Sequence, residues 1–160
     1  MNSGATAPEW DTDDTGTTIT TVRKTADETV NNSATLQNDD VLLLALAANE
    51  TWYFMLTFGH VGNGAADIRV GFTIPAGATM RYGCSAARMT DLDTVNFCVS
   101  IPGSGTTQAY AGGTDQRHVT LSGVVVNGGT AGDLQFQWAQ DTATVVDTKV
   151  LTNSYLEAHK

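Results

Sequence analysis

The sequence predicts an all-β fold, an antiparallel β-sandwich or barrel of jelly-roll type with an extended N-terminal arm. Three observations predict it. Beyond residue 25 apolar and polar residues alternate at the two-residue period of a strand. No window sustains an apolar stripe at helical spacing, and Gly, Asn and Pro turns interrupt the chain at intervals of roughly 8 to 12 residues. The 160 residues, 41% of them hydrophobic, suit one core. Residues 1–24 read as the arm and 25–160 as the β domain.

The arm, "MNSGATAPEWDTDDTGTTITTVRK", is polar, Thr-rich and acidic, with Trp10, Ile19 and Val22 as its large apolar side chains. Such a segment buries too little to order itself and needs a surface to fold against. In the β domain, "VLLLALAANETWYFMLTFGHV" reads as two apolar strands around "AANE". The second of these places Trp52, Phe54, Leu56 and Phe58 on one face and Tyr53, Met55 and Thr57 on the other. A strand apolar on both faces is a central core strand, although Trp52 could also serve as an aromatic platform for a sugar. "ADIRVGFTIPAGAT" alternates Ile68, Val70, Phe72 and Ile74 with smaller or polar residues and breaks at Pro75. "TVNFCVSIPGSGTTQAY" supplies another strand, ended by Pro-Gly. "RHVTLSGVVVNGGTAGDLQFQWAQ" reads as a hairpin of two alternating runs joined by Asn127, Gly128 and Gly129. "TVVDTKVLTNSYLEAHK" gives a strand, an Asn-Ser turn and a last strand with Tyr155 and Leu156.

Charge narrows the function classes. Seventeen Asp and Glu against eight Lys and Arg give a formal net charge of −9. The basic residues are scattered, so the surface repels phosphate and direct nucleic-acid binding is not expected. The start, "MNSGATAPEW", has no basic and apolar leader pattern, and "VLLLALAA" is far shorter than the roughly 20 residues of a membrane span. Synthesis in a cytoplasm and no membrane partner are the expectation. Cys84 and Cys98 are expected as two buried thiols, with a single bridge between them as the alternative.

No catalytic or cofactor site is expected. "GCSAA" lacks the G-x-S-x-G elbow, and His60 and His118 sit in or beside strands with no signature around them. "DTDDTG" begins like a calcium loop at Asp11 and Asp13, but Val22 stands where the twelfth-position Glu is required. Cys84, Cys98, His60 and His118 have no zinc-ligand spacing, and "GNGAAD" and "GSGTTQ" lack the Lys of a phosphate loop, so no metal is expected.

Four segments resemble structural proteins of tailed bacteriophages and prophages, of the minor head, decoration, head-fibre or tail type. They are "KTADETVNNSATLQNDD" from Lys24, "ADIRVGFTIPAGAT" from Ala66, "HVTLSGVVVNGGTAGDLQFQWAQDT" from His118 and "TKVLTNSYLEAHK" from Thr148. Tyr82 to Asp115 lies outside the resemblance. It implies a homotrimeric β-structured protein on the virion surface, made in the host bacterial cytoplasm. Its partners would be the major capsid protein or other virion proteins, fastened by the N-terminal segment. The alternative is a carbohydrate- or receptor-binding module of a phage tail or fibre, with a host glycan as partner. On this reading Trp10, Ile19 and Val22 are the apolar anchors of the attachment arm, offering a strand to an exposed sheet edge. Gln135 and Gln137 become candidate subunit contacts, because amides both donate and accept and can satisfy one another around a threefold axis where charges would repel.

Overall fold

The computed structural model describes residues 17–87, 95–97, 101–102 and 105–160. The described residues form strands joined by turns, with no helix. In chain order the strands are β1 (Ile19–Arg23), β2 (Glu28–Val30), β3 (Gln37–Leu46), β4 (Thr51–Val61), β5 (Ile68–Thr73), β6 (Thr79–Ala87) and β7 (Val95–Phe97). They continue with β8 (Ile101–Pro102), β9 (Gln108–Tyr110), β10 (Arg117–Val126), β11 (Gly132–Gln140), β12 (Thr148–Val150) and β13 (Tyr155–His159).

All pairings are antiparallel and fall into two sheets. The larger runs β1-β13-β4-β10-β6-β7, with β12 bridging β4 and β2, and β8 on β6; the smaller runs β3-β11-β5-β9. The fold is an antiparallel β-sandwich. Its two inner faces are written into the alternation: Trp52, Phe54, Leu56 and Phe58 from β4, with Val119, Leu121 and Val125 from β10, meet Ile68, Val70 and Phe72 from β5 and Leu134, Phe136 and Trp138 from β11, all buried. Aromatic rings stitch the layers together, Phe58 to Phe136 at 5.2 Å between centroids and Phe54 to Phe72 at 5.6 Å edge-on. Gly123 on β10 stands between Phe54 and Tyr82 in register; a Cβ there would lie 2.2 Å from the Arg81 carbonyl oxygen and 2.7 Å from the Tyr82 Cβ.

Two sequence expectations require correction. The run around Asn127-Gly128-Gly129 is not a hairpin: β10 pairs β4 and β6 in the larger sheet, whereas β11 pairs β3 and β5 in the smaller. The turn is a corner that carries the chain from one layer to the other. It is locked to the preceding corner at "AANE", since Asn127 N donates to Glu50 O, Asn49 N to Gly128 O and Asn127 Nδ2 to Ala47 O. The second correction concerns the thiols. Cys84 is disulfide-bonded, on a strand whose ladder with β7 runs through the neighbouring pair Ser85 and Phe97; Cys98 lies outside the described residues.

Candidate functional site: the rim and outer face of the larger sheet

β1 forms the rim of the larger sheet. Ile19 pairs His159 and Val22 pairs Leu156, and Lys160 N extends the ladder by donating to Thr18 O at 3.3 Å. Ile19 is 65% exposed and Val22 half-buried. The expected arm therefore divides: residues 19–23 are a strand of the sandwich itself, because the edge of β13 presents unpaired backbone groups that a Thr-rich segment can match. Trp10, Asp11 and Asp13 lie outside the described residues. On its other side β1 has no hydrogen-bonded strand among the described residues.

The two glutamines are not equivalent. Opposite β11 the register of β3 slips, Gln135 facing Leu43 but Gln137 facing Asn38, so β3 bulges around Asp39. The bulge covers Gln135, which is only 8% exposed and whose Nε2 donates to Asp39 O at 2.9 Å and to Phe136 O at 2.8 Å. Gln135 is thus committed inside its own chain, which corrects its reading as a subunit-contact residue. Gln137 is half-buried and donates from Nε2 to Asn38 Oδ1 at 2.8 Å. Strict alternation predicts both amides on one open face; a slip of this kind in the partner strand leaves no mark on that pattern.

The outer face of the larger sheet carries a shallow groove of about 510 Å³ lined by Tyr53, Arg81, Tyr82, Gly83, Ser122, Gly123 and Val124. Tyr53 is 53% exposed, and its ring stacks on that of His159 from the adjacent β13, with centroids 5.3 Å apart. Trp52, by contrast, points into the core at 4% exposure. Its Nε1 donates to Glu50 Oε2 and its ring lies 5.1 Å from Lys160 Nζ, which also pairs with the Glu50 carboxylate. These bonds, the one from Lys160 foremost, hold the Glu50 pKa down at about 2. The exposed aromatic is the neighbour of the one that sequence reasoning singled out, and alternation from the buried Phe54 already places it outside.

Behind the rim lies a buried ionic cluster that sequence reasoning did not single out. Lys24, 2% exposed, follows β1 directly and donates from Nζ to Glu28 Oε2 at 2.7 Å and to Asp39 Oδ2 at 2.8 Å. Burial by itself lowers the pKa of this ammonium, but the bonds from Asp39 and Glu28 outweigh it and leave the pKa raised. Burial raises that of Glu28. Asp39 Oδ1 accepts from Leu42 N at 2.8 Å and Val41 N at 3.0 Å.

Of the histidines, His60 is 1% exposed, and its pKa is lowered to about 4 by burial first, then by the charges of Arg117 and His118. Its Nδ1 has no hydrogen-bond partner among the described residues. Among the described residues no three His, Cys, Asp or Glu side chains are grouped to hold a metal ion, and no helix is long and apolar enough to cross a membrane.

No family model matches the chain, and no curated protein does. Among solved structures it is similar to a chain from a structure of infectious bursal disease virus, Gt strain, at 7% identity and a TM-score of 0.23, over 90% of this chain and 37% of that one. A chain from the Gx strain of the same virus gives 7% identity and a TM-score of 0.18, over 91% and 39% respectively. This chain therefore spans well under half the length of either.

Proposed function

We propose that this chain is a structural protein of a tailed-phage virion, a capsid decoration or cement protein or a short head-fibre protein, held by its N-terminal arm and acting without catalysis. The observation that carries this reading is the rim strand. β1 is the terminal strand of the larger sheet, with Ile19 exposed and a single ladder partner among the described residues, the position in a sheet that suits strand addition. The four segments that resemble phage virion proteins support it, as does an acidic chain whose basic residues are scattered along the sequence. Strand order gives further support to a jelly-roll wrap: β3-β11-β5-β9 lies over β4-β10-β6-β7, the order in which eight strands form two interlocked Greek keys. Closed threefold assembly of the β domain belongs to the same reading, and three displayed arms raise the effective concentration of a weak contact.

Removing residues 1–16 while keeping β1 tests it. The truncated protein should remain a folded trimer by circular dichroism and light scattering, yet fail to co-sediment with particles that lack the protein. Decoration at full occupancy by the truncated chain would refute attachment through residues 1–16, its persistence in a second variant with Ile19→Asp would refute attachment through the arm altogether, and a monomer at micromolar concentration would refute the trimer.

One observation favours a second reading, a glycan- or receptor-binding module: the Tyr53–His159 stack beside the groove with Arg81 and Ser122. Exposed aromatic rings next to polar side chains are suited to the apolar face and hydroxyls of a sugar. A glycan array discriminates the two. Binding abolished by Tyr53→Ala would favour this module, and no binding to any glycan would leave the decoration reading ahead.

A further inference from the structure

We propose that Lys24 and Asp39 join through a side-chain amide, formed by the folded chain itself with Glu28 as the proton relay. This inference stands apart from the virion reading and rests on the buried cluster alone. Lys24 Nζ lies 2.8 Å from Asp39 Oδ2, both side chains are almost wholly removed from water, and Glu28 Oε2 lies 2.7 Å from the same nitrogen. The nucleophile, the electrophilic carboxyl and a carboxylate able to move protons are thus already in contact.

Each remaining requirement of the reaction has a group in place. Attack on Cγ pushes negative charge onto one carboxyl oxygen. Oδ1 already accepts two backbone N–H bonds, from Leu42 at 2.8 Å and Val41 at 3.0 Å, the arrangement of an oxyanion hole. The bulge of β3 creates it, and Gln135 braces the bulge by donating to the Asp39 carbonyl. Glu28 is itself positioned, Oε2 accepting from Asp40 N at 3.2 Å and Oε1 from Gln37 Nε2 at 3.1 Å. Its pKa, raised by burial, suits a group that must hold a proton briefly and give it up.

The atoms balance without any co-reactant. Lys24 begins as an ammonium and Asp39 as a carboxylate. One proton passes from Nζ to Oδ2, giving amine and carboxylic acid in contact; the ammonium is the resting form, as its raised pKa requires, and the neutral pair is reached transiently. The nitrogen lone pair forms the N–Cγ bond and charge collects on Oδ1. A second proton leaves the nitrogen through Glu28 Oε2 for Oδ2, the Cγ–Oδ2 bond breaks, and Oδ2 departs as water. Glu28 returns to its starting form, Oδ1 becomes the amide oxygen, and the last hydrogen stays on nitrogen. In free solution water opposes this condensation. Here the partners are fixed at contact, where effective molarities reach about 10⁵–10⁸ M, and the product exchanges a buried ion pair for a neutral amide.

Intact-mass spectrometry of the full-length, reduced and denatured protein reads the outcome. Wild type should be lighter than its sequence by one water. Trypsin should no longer cut after Lys24, so the peptide 24–69 should carry that loss and give no fragment ions between Lys24 and Asp39. Lys24→Arg and Asp39→Ala should have their full sequence mass. Asp39→Asn should lose ammonia in place of water, and Glu28→Gln, with an unchanged circular dichroism spectrum, should form the bond roughly 10²–10⁴-fold more slowly. Folded wild type at its full sequence mass would overturn the proposal, and so would a water loss that persists in Lys24→Arg. Glu28→Gln reacting at the wild-type rate would remove Glu28 from the mechanism.

Discussion

Replacing Gln135 by alanine tests the description of the bulge directly. The substitution removes an amide that is 8% exposed and donates to the carbonyls of Asp39 and Phe136. Neither oxygen can recover a water partner without opening the region where β3 slips against β11. A buried polar group left without a partner costs about 1–3 kcal/mol. With a urea dependence of about 1–3 kcal/mol per molar, the unfolding midpoint should fall by on the order of 1 M. Gln137→Ala is the matched control, because Gln137 bonds an exposed asparagine and its loss should stay within about 0.5 kcal/mol. Urea unfolding followed by circular dichroism, with light scattering on the same samples, separates the possible roles. Gln135→Ala should lower protomer stability and leave the assembly state unchanged. If Gln135→Ala unfolds at the same urea concentration as Gln137→Ala, or changes assembly without changing stability, Gln135 is a surface contact and the account of the bulge fails.

Further outcomes follow from the core and its buried charges. Phe136→Ala, which empties a fully buried site against Phe58 and Phe72, should cost about 3–5 kcal/mol in urea unfolding. Gly123→Ala should cost at least about 1–3 kcal/mol, since its Cβ would meet the Arg81 carbonyl rather than a side chain able to move. His60 has a folded pKa of about 4 against 6.5 when free, so the unfolded chain binds the extra proton between those values. Stability from this group is therefore complete above pH 6.5 and declines as pH falls toward 4, by on the order of 3 kcal/mol at 1.36 kcal/mol per unit. Glu28, whose pKa is raised, acts in the opposite direction, so the measurement is the difference in pH slope between wild type and His60→Gln. Equal slopes would show that His60 is not buried in neutral form.

Much of the sandwich was legible because its central strands carry large apolar residues at a strict two-residue period. β4, β5, β10 and β11 all read this way, and each inward residue named from the sequence in β4 is buried. β6 escaped notice although Met80, Tyr82, Cys84 and Ala86 alternate inward, because two of the four are small and the outward positions include Gly83. β1 and β2 are short and polar, and only the edges they join give them their conformation. Asn127 shows where local signals stop: a turn marks a change of direction but not whether the next strand stays in the same sheet. The ionic cluster lay beyond reach for a related reason. Lys24, Glu28 and Asp39 look like surface charges in a polar stretch until the bulge and the rim strand close over them.

The pairing of β1 with β13 decides how the molecule responds to tension. Ile19 lies opposite His159 and Arg23 opposite Tyr155, so a pull on the chain preceding Ile19, resisted at the residues following His159, opens the ladder one pair at a time. Resistance from the opposite end of the sandwich would load the same pairs together, in shear. β4 is held on both flanks, by β13 and by β10, and cannot separate without breaking two ladders at once. The rim strand therefore yields first under an unzipping load, and peeling that begins at Ile19 reaches its first buried anchor at Lys24, gripped by two carboxylates behind the sheet edge.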